Sequence, residues 1–261
     1  HPGVDKVAFT GSTAAGRKIA AVCGEQLKRV SLELGGKSAA IVLDDADLAA
    51  TMEGLKFASL MNSGQACVAQ TRILASRAKY AEVVDALAET VSAMAVGDPL
   101  DPATEIGPMV AQRQQERVEK YIALGQEEGA RVVVGGNGMP DGLTSGWYVR
   151  PTVFADVDNR MRIAQEEIFG PVLSVIPFDD VDDAVRIAND SEYGLAGTVW
   201  TGDVEAGLDV ARRVRTGTYG VNTYTMDFAA PFGGFKSSGI GREFGPEGLA
   251  HYTELKSIYK P

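Results

Sequence analysis

Cysteine and histidine each occur only twice in this 261-residue sequence. Two cysteines, Cys23 and Cys67, are too few for a disulfide framework in a chain of this size. A cysteine protease-like dyad needs a histidine partner, and the sequence holds only His1 at its first position and His251 near its end. If a cysteine carries chemistry here, a carboxylate is therefore the better candidate for its base.

The sequence also lacks an excess of basic residues and a long apolar run. Its 25 Lys and Arg residues against 35 Asp and Glu give a formal net charge of −10, which argues against the phosphate backbone of nucleic acid as the main partner. The longest apolar runs fall short of the roughly 18 residues that a membrane span needs, and no signal-peptide pattern opens the chain. The sequence predicts a soluble, cytoplasmic protein that binds neither nucleic acid nor a membrane.

Glycine is the abundant residue, with 30 copies gathered in short loops. Hydrophobic residues make up 45% and charged residues 23%, which is close to the composition of globular proteins and excludes disorder and fibrous repeats. The length suits one large domain or two small ones. So many glycines predict tight turns and places where the backbone comes close to another group.

Strand-like and helix-like segments alternate along the whole chain, which predicts an α/β fold with an open, mostly parallel sheet flanked by helices. A glycine-rich surface loop is predicted at 135–146. Asp44 or Asp45 is predicted to cap the helix that follows them. The predicted strands are 4–10, 29–34, 39–43, 73–75, 131–134, 148–157, 172–178, 197–200 and 217–222, and the predicted helices are 13–26, 47–61, 79–94, 111–128, 181–189 and 204–214.

The turn at residues 9–16, Phe-Thr-Gly-Ser-Thr-Ala-Ala-Gly, lies between a predicted strand and a predicted helix. The free N–H groups and the positive dipole end of such a helix suit a phosphate group. The turn does not match the G-x-G-x-x-G pattern, however, and an ordinary capped helix start explains it equally well.

Glu33 ends an apolar strand just before Gly35 and Gly36. Ligands of open α/β sheets bind outside the carboxyl ends of the strands, and a glutamate in an apolar site has a raised pKa and can act as a general base. The alternative interpretation is a strand-edge glutamate that pairs with Lys37.

Cys67 lies beyond a predicted helix in a loop of small residues, 62–69. A thiolate is a strong nucleophile near neutral pH, and small neighbours allow a substrate carbonyl to approach. Cysteine is also often a small buried hydrophobe, and Cys23, within a predicted helix, fits that role better.

Two further segments are informative mainly in combination with the others. Residues 166–172 contain an acidic pair and Phe169 before a Gly-Pro turn; a carboxylate can accept hydrogen bonds from ribose hydroxyls and an aromatic ring can pack on a flat heterocycle. Residues 231–245 are dense in glycine. Taken singly, the first is also a charged helix end and the second a plain loop.

Read together and in order, these segments resemble the NAD(P)-dependent aldehyde dehydrogenase superfamily across nearly the whole chain. The family motif E-L-G-G-K is present at 33–37, G-Q-x-C at 64–67, E-I-F-G-P at 167–171, P-F-G-G-x-K at 231–236 and G-R-E-x-G at 241–245. Five short motifs in the family's order make coincidence a poor explanation.

The resemblance implies that Cys67 is the nucleophile and Glu33 the general base of aldehyde oxidation. The thiolate would form a thiohemiacetal whose oxyanion meets the Cys67 N–H and an asparagine side chain, hydride would pass to the nicotinamide, and Glu33 would activate the water that hydrolyses the thioester. Glu33 favours the acid-forming branch over branches that pass the acyl group to coenzyme A. No metal is implied.

The resemblance also implies the binding of NAD or NADP. Leu34 would face the carboxamide with its backbone, Glu167 the nicotinamide ribose and Phe169 the nicotinamide. The matching cofactor turn consists of Gly11, Ser12, Thr13 and Gly16.

In the family, a cofactor-domain segment of roughly half the enzyme precedes the turn at 9–16 and carries the oxyanion asparagine. The chain is therefore expected to be a C-terminal portion, with the end of a Rossmann-like cofactor domain at 1–35, the catalytic domain at 36–236, and a return to the cofactor domain and start of an oligomerisation segment at 237–261. A homodimer or homotetramer is expected. The alternatives are a catalytically silent fragment and a cofactor-independent esterase that uses Cys67 and Glu33.

The substrate is expected to be a small-molecule aldehyde. By resemblance, residues near Met61, Ala66, Val68 and 225–228 line its pocket. These residues are mostly small or apolar, which suggests an aliphatic or aromatic aldehyde.

Overall fold

A computed structural model describes residues 1–261, and its strands and helices alternate as predicted. A 3₁₀ turn, Met61–Gly64, follows the second helix. The strands are β1 Lys6–Thr10, β2 Arg29–Glu33, β3 Ala39–Val42, β4 Arg72–Ser76, β5 Arg131–Val134, β6 Thr152–Ala155, β7 Val172–Phe178, β8 Tyr193–Gly194, β9 Gly197–Trp200, β10 Gly220–Val221, β11 Phe235–Lys236 and β12 Gly239–Ile240. The helices are α1 Thr13–Glu25, α2 Leu48–Leu60, α3 Tyr80–Ala93, α4 Gln112–Glu127, α5 Arg162–Gln165, α6 Val181–Asn189, α7 Val204–Arg213 and α8 Gly245–Ala250.

Seven strands form one sheet in the order β10-β9-β3-β4-β7-β6-β5. All neighbouring pairs are parallel except β5 and β6. Successive residues of β3 enter two different apolar clusters, with Ile41 in one and Ala40 and Val42 in the other, because side chains alternate across a strand. Helices therefore cover both faces, and the predicted α/β class with a mostly parallel sheet is confirmed.

A second sheet has only three strands, in the order β1-β2-β12, with β1 parallel and β12 antiparallel to β2. Helix α1 packs against it at Gly16, where a Cβ atom would lie 2.5 Å from the Leu34 side chain. Leu34 N–H donates to the Ser238 carbonyl, and the Thr13 hydroxyl donates to the Ser237 carbonyl over a separation of 224 residues. The beginning and the end of the chain therefore build this sheet together.

The cap of α2 differs from the prediction. Its N-cap is Asp47, whose side chain accepts from the Ala50 N–H, rather than Asp44 or Asp45. Asp44 instead accepts from the Ser76 hydroxyl and Asp45 from the Thr201 hydroxyl. Because both carboxylates bind hydroxyl groups near the ends of other strands, neither caps the helix, and α2 begins at Leu48.

Two predicted strands are shorter in the structure. The segment 148–157 is strand only at Thr152–Ala155, because Pro151 lacks an N–H and cannot extend the ladder. The segment 217–222 is strand only at Gly220–Val221, because the N–H groups of Gly217 and Thr218 bond back to Leu195. None of the helices combines the length and apolar character that crossing a membrane requires.

Candidate active site

The predicted site residues lie where the two sheets meet. Glu33 is at the carboxyl end of β2, as the sequence suggested. Cys67 and Glu167, in contrast, precede β4 and β7 and so lie at the amino ends of strands in the large sheet. The predicted site residues therefore lie at a carboxyl end in the small sheet and at amino ends in the large one.

The Glu33 side chain is buried, with 3% of its surface exposed, and neither carboxylate oxygen has a hydrogen-bond partner. Burial, reinforced by the Glu243 carboxylate and opposed by Arg242, raises the pKa of Glu33 to about 8. No hydrogen bond or ion pair joins Glu33 to Lys37, whose amine is itself buried without a partner. The structure therefore does not contain the Glu33–Lys37 pair of the alternative interpretation.

Cys67 lies in a loop with an unusual backbone. Asn62, Ser63 and Gly64 all have positive φ angles, of 50°, 57° and 72°. A Cβ atom on Gly64 would lie 2.3 Å from the Gly170 carbonyl oxygen, so only glycine fits there. The loop carries the chain from the end of α2 to the start of β4 and places Cys67 between the two sheets.

The Cys67 thiol is half-buried beside the apolar side chains of Val68, Tyr224 and Phe232. Burial, with the carboxylates of Glu167 and Glu33, raises the pKa of the thiol to about 11, while the backbone N–H groups of Cys67 and Val68 oppose that rise. The other cysteine, Cys23, is buried within α1 as predicted. Because both carboxyl groups act on the thiol, Glu33 and Glu167 lie near Cys67.

Gly35 and Gly36 connect these three groups. The Gly36 N–H donates to Glu167 Oε1 at 3.0 Å. A Cβ atom on Gly35 would lie 2.5 Å from Glu167 Oε2, and one on Gly36 would lie 2.2 Å from the Cys67 carbonyl oxygen. The glycines of the E-L-G-G-K motif therefore allow the nucleophile loop and the Glu167 carboxylate to approach the backbone after Glu33.

Helix α4 holds the segment around Phe169, whose φ angle of 64° is left-handed. Gln114 donates to the carbonyl oxygens of Ile168 and Phe169 at 3.1 and 2.7 Å. Arg117 donates to the carbonyl oxygens of Glu167 and Ile168. The sequence analysis missed this contact: the amphipathic pattern of α4 predicted a polar face but not the backbone that this face binds.

The residues of the predicted cofactor turn differ in their exposure. Gly11 and Ser12 are exposed at the start of α1, where Ser12 caps the helix by accepting from the Ala15 N–H at 3.3 Å. Gly16 is buried against Leu34. The structure therefore brings Gly11, Ser12 and half-buried Thr13 to the surface, and it gives Gly16 a packing contact.

The residues predicted to line the substrate pocket also differ in where they lie: some belong to an apolar cluster and others are exposed. Met61, Ala66 and Val68 belong to the apolar cluster that includes Cys67. The 225–228 segment is exposed, and Phe228 reaches this cluster by an edge-on contact with Phe244. Sequence reasoning missed Tyr224, which no motif marks. No group of three or more His, Cys, Asp and Glu side chains is placed to hold a metal ion.

Comparison with known proteins gives a consistent result. A model of the aldehyde dehydrogenase family matches residues 1–258. A geranial dehydrogenase from Castellaniella defragrans is 60% identical over 99% of this chain and 54% of its own length. The crystal structure of a Mycobacterium tuberculosis aldehyde dehydrogenase in complex with NAD⁺ is 57% identical, with a TM-score of 0.98 over 100% of this chain and 54% of that one.

A variant of aldehyde dehydrogenase C from Pseudomonas syringae, in complex with NAD⁺ and octanal, is 45% identical, with a TM-score of 0.96 over 99% of this chain and 53% of that one. The chain thus spans about half the length of the relatives that it matches.

Proposed function

This chain belongs to the aldehyde dehydrogenase family, and from that premise we propose that it carries the catalytic centre of an enzyme that oxidises an aldehyde to a carboxylic acid with NAD⁺. The observation that carries this proposal is the convergence of Cys67, Glu33 and Glu167 on Gly35 and Gly36. Residues 36–236 form the proposed catalytic domain, and residues 1–35 and 237–261 belong to the proposed cofactor domain.

Cys67 is the nucleophile of the proposed reaction. Its sulfur attacks the aldehyde carbon to give a thiohemiacetal, with the N–H groups of Cys67 and Val68 near the sulfur. Because the pKa of the thiol is raised to about 11, the proton must leave as the sulfur attacks. Glu33, which is buried and unpartnered, is the group that can accept this proton, directly or through one water molecule.

Glu33 acts again in the second half of the reaction. Once the thiohemiacetal has been oxidised to a thioester and Glu33 has released the thiol proton to solvent, the Glu33 carboxylate takes a proton from a water molecule that attacks the thioester carbon. The carbon–sulfur bond then breaks, the acid leaves, and the Cys67 thiolate is restored. A base with a pKa of about 8 suits this role, because it gains and loses a proton near physiological pH.

The site also fits a dinucleotide. The Leu34 carbonyl oxygen receives no hydrogen bond and is free to meet a carboxamide, as the resemblance implies. Gly11, Ser12 and Thr13 present the start of a 13-residue helix to a phosphate group. Glu167 would accept from ribose hydroxyls and Phe169 would pack on the nicotinamide. When bound, NAD⁺ supplies the acceptor for the hydride that leaves the substrate carbon.

The proposed substrate is an apolar aldehyde without a negative charge. The thiol lies among apolar side chains, and the two charged groups that influence its pKa, Glu167 and Glu33, already have roles. An anionic aldehyde would meet the carboxyl groups of Glu167 and Glu33 beside the thiol. The relatives whose names mention geranial and octanal are consistent with an apolar substrate. The proposed location is the cytoplasm and the proposed assembly a homodimer or homotetramer.

The test compares the two cysteines in the natural protein that carries this sequence. We expect Cys67→Ala to reduce NAD⁺-dependent oxidation of octanal to the background rate, because it removes the nucleophile. Cys23→Ala, the matched control, removes a thiol that is buried in α1 away from the site and should keep most of the activity. The measurement is NADH absorbance, with circular dichroism to verify folding. A folded Cys67→Ala variant that turns over normally would disprove the proposal.

A further inference from the structure

Gln65 lies two residues before Cys67, and its side-chain amide faces a separate segment of the chain, residues 107–110. Gln65 Oε1 accepts from the Val110 N–H at 2.9 Å, and Gln65 Nε2 donates to the Pro108 carbonyl oxygen at 3.4 Å. The amide is half-buried. One side chain therefore joins the loop of the proposed nucleophile to a segment that lies 45 residues further along the chain.

A second side chain of the loop makes a similar connection. The buried Ser63 hydroxyl donates to the Gly107 carbonyl oxygen at 3.1 Å and accepts from the Gly107 N–H at 2.9 Å. The segment 107–110 is itself well anchored, because Met109 is buried in the apolar core and its N–H donates to the Trp147 carbonyl oxygen at 2.9 Å. The loop is therefore attached to a part of the molecule that does not move easily.

The backbone of the Cys67 loop explains why it needs such an attachment. Asn62 and Ser63 both have positive φ angles, which residues with side chains rarely adopt. Conformations of this kind are costly and persist only where the surrounding structure enforces them. Hydrogen bonds between Asn62 and Gln65 close the turn, but they do not orient it relative to the rest of the fold. The bonds from Ser63 and Gln65 to residues 107–110 supply that orientation.

We propose that Gln65 is a positioning residue, which holds the Cys67 loop in the orientation from which the thiol attacks the aldehyde. The inference rests on the proposed function. Both ends of the amide take part: the oxygen accepts from the Val110 N–H, and the nitrogen faces two carbonyl oxygens, those of Asn62 at 3.3 Å and Pro108 at 3.4 Å. Only a group that both donates and accepts hydrogen bonds suits these neighbours.

Two substitutions separate hydrogen bonding from the filling of space. Gln65→Met keeps a side chain of similar length, but its sulfur is only a weak acceptor and it has no donor. Gln65→Glu keeps the shape, but an ionised carboxylate places an acceptor against the carbonyl oxygens of Asn62 and Pro108. A protonated carboxyl group donates from one oxygen and accepts at the other, as the amide does. Gln65→Glu should therefore recover as the pH falls, and Gln65→Met should not.

The experiment measures kcat/KM for NAD⁺-dependent octanal oxidation, and the Kd of NAD⁺ by isothermal titration calorimetry, in the natural protein that carries this sequence. We expect Gln65→Met to lower kcat/KM by about 10–100-fold, because a small displacement of a reacting group has an effect of this size. The Kd of NAD⁺ should stay unchanged, since Gln114 and Arg117 of α4 hold the segment around Phe169 independently. Gln112→Met, which removes an exposed amide from α4, is the matched control and should keep the wild-type kcat/KM.

The pH series uses Gln65→Glu between pH 8.5 and 5.5. The kcat/KM of this variant, divided by the wild-type value at the same pH, should rise severalfold as the pH falls, because the carboxyl group regains a donor. The same ratio for Gln65→Met should stay constant, since methionine does not titrate. Dividing by the wild-type value removes the pH dependence that comes from Glu33 itself.

Several results would overturn the inference. They are a folded Gln65→Met variant with the wild-type kcat/KM, an equal loss of NAD⁺ affinity in that variant, and a Gln65→Glu ratio that is the same at every pH. If Gln65→Met does not fold, as judged by circular dichroism, the Gln65→Glu series decides alone, and failure of both variants to fold would also overturn the inference. A wild type that oxidises no aldehyde would instead contradict the proposed function.

Discussion

The seven-stranded and three-stranded sheets of this chain bury their residues very differently. Every residue of β3, β4, β6 and β9 in the large sheet is buried, whereas β1 in the small sheet has no fully buried residue. Helix α1 buries only Gly16 and Cys23, and the nearby Leu27 is 94% exposed. The large sheet therefore has a complete apolar core, while the small sheet relies on a few contacts.

The candidate site takes its residues from both of these sheets. The loop that carries Cys67 and the segment that carries Glu167 lead directly into strands of the large sheet. Glu33 belongs to the small sheet and is secured on its other side by the β12 strand. Within this chain, the nucleophile therefore belongs to the sheet with the complete apolar core and the proposed base to the sheet with fewer contacts.

The largest expected effect is on the free energy of unfolding, when one phenylalanine in each of these sheets is replaced by alanine. Phe154 in β6 is completely buried, so Phe154→Ala should lower the free energy of unfolding by ~3–5 kcal/mol. Phe9 in β1 is half-buried, and Phe9→Ala should cost about 1 kcal/mol. Urea denaturation of the natural protein measures both. Equal losses would show that the small sheet is as well covered in that protein as the large one.

The next effect concerns the buried carboxyl group of Glu33 in the small sheet. Glu33 has a pKa of about 8 in the fold against an ordinary value of 4.5, so the folded protein holds a proton that the unfolded chain releases between these pH values. Wild-type stability attributable to Glu33 therefore falls as the pH rises from about 4.5 to 8. Glu33→Gln does not titrate and should be more stable above pH 8, by on the order of 3 kcal/mol.

Chemical denaturation at pH 5, 7 and 9 checks this expectation, with Glu25→Gln, an exposed position on α1, as the control that should show no change. The same Glu33→Gln variant should lose about 10²–10⁴-fold in aldehyde oxidation if Glu33 is the general base. A stability difference that is constant from pH 5 to 9 would show that the carboxyl does not titrate as described.

The smallest expected effects are changes in stability of opposite sign, when two different glycines are replaced by alanine. Gly36→Ala places a Cβ atom 2.2 Å from the Cys67 carbonyl oxygen and should cost ~1–3 kcal/mol while displacing the nucleophile loop. Gly24→Ala, in α1, meets nothing within 4 Å and should stabilise the helix by about 0.5–1 kcal/mol. Thermal unfolding and NADH production measure both variants. Unchanged activity in Gly36→Ala would show that the contact between the two parts of the site is dispensable.

The sequence predicted the large sheet well, because β-branched runs separated by amphipathic segments follow simple periodicity. It predicted the α2 cap less well: Asp44, Asp45 and Asp47 are all suitable capping residues, and the choice among them depends on Ser76 and Thr201 from distant strands. The shortened strand before Thr152 depends on Pro151, whose effect on the ladder could have been recognised from the sequence.

The site was predicted from local motifs, and contacts that no motif encodes were missed. The alternative interpretation of Glu33 pairs it, as a strand-edge glutamate, with Lys37, which the structure shows to be buried and unpaired. Its burial follows from the packing of the large sheet around residues 37–39, which periodicity cannot show. Gln114 and Tyr224 were missed for the same reason, since their partners are far away in the sequence.

The hydrogen bond between Thr13 and Ser237 spans 224 residues, and it has a consequence for the order in which the site is made. A ribosome synthesises a chain from its N-terminus to its C-terminus. The Cys67 loop and its neighbouring strands are therefore synthesised well before the β12 strand that secures Glu33. Glu33 and the thiol are therefore both made before the strand that pairs with β2, and the small sheet is completed after the Cys67 loop.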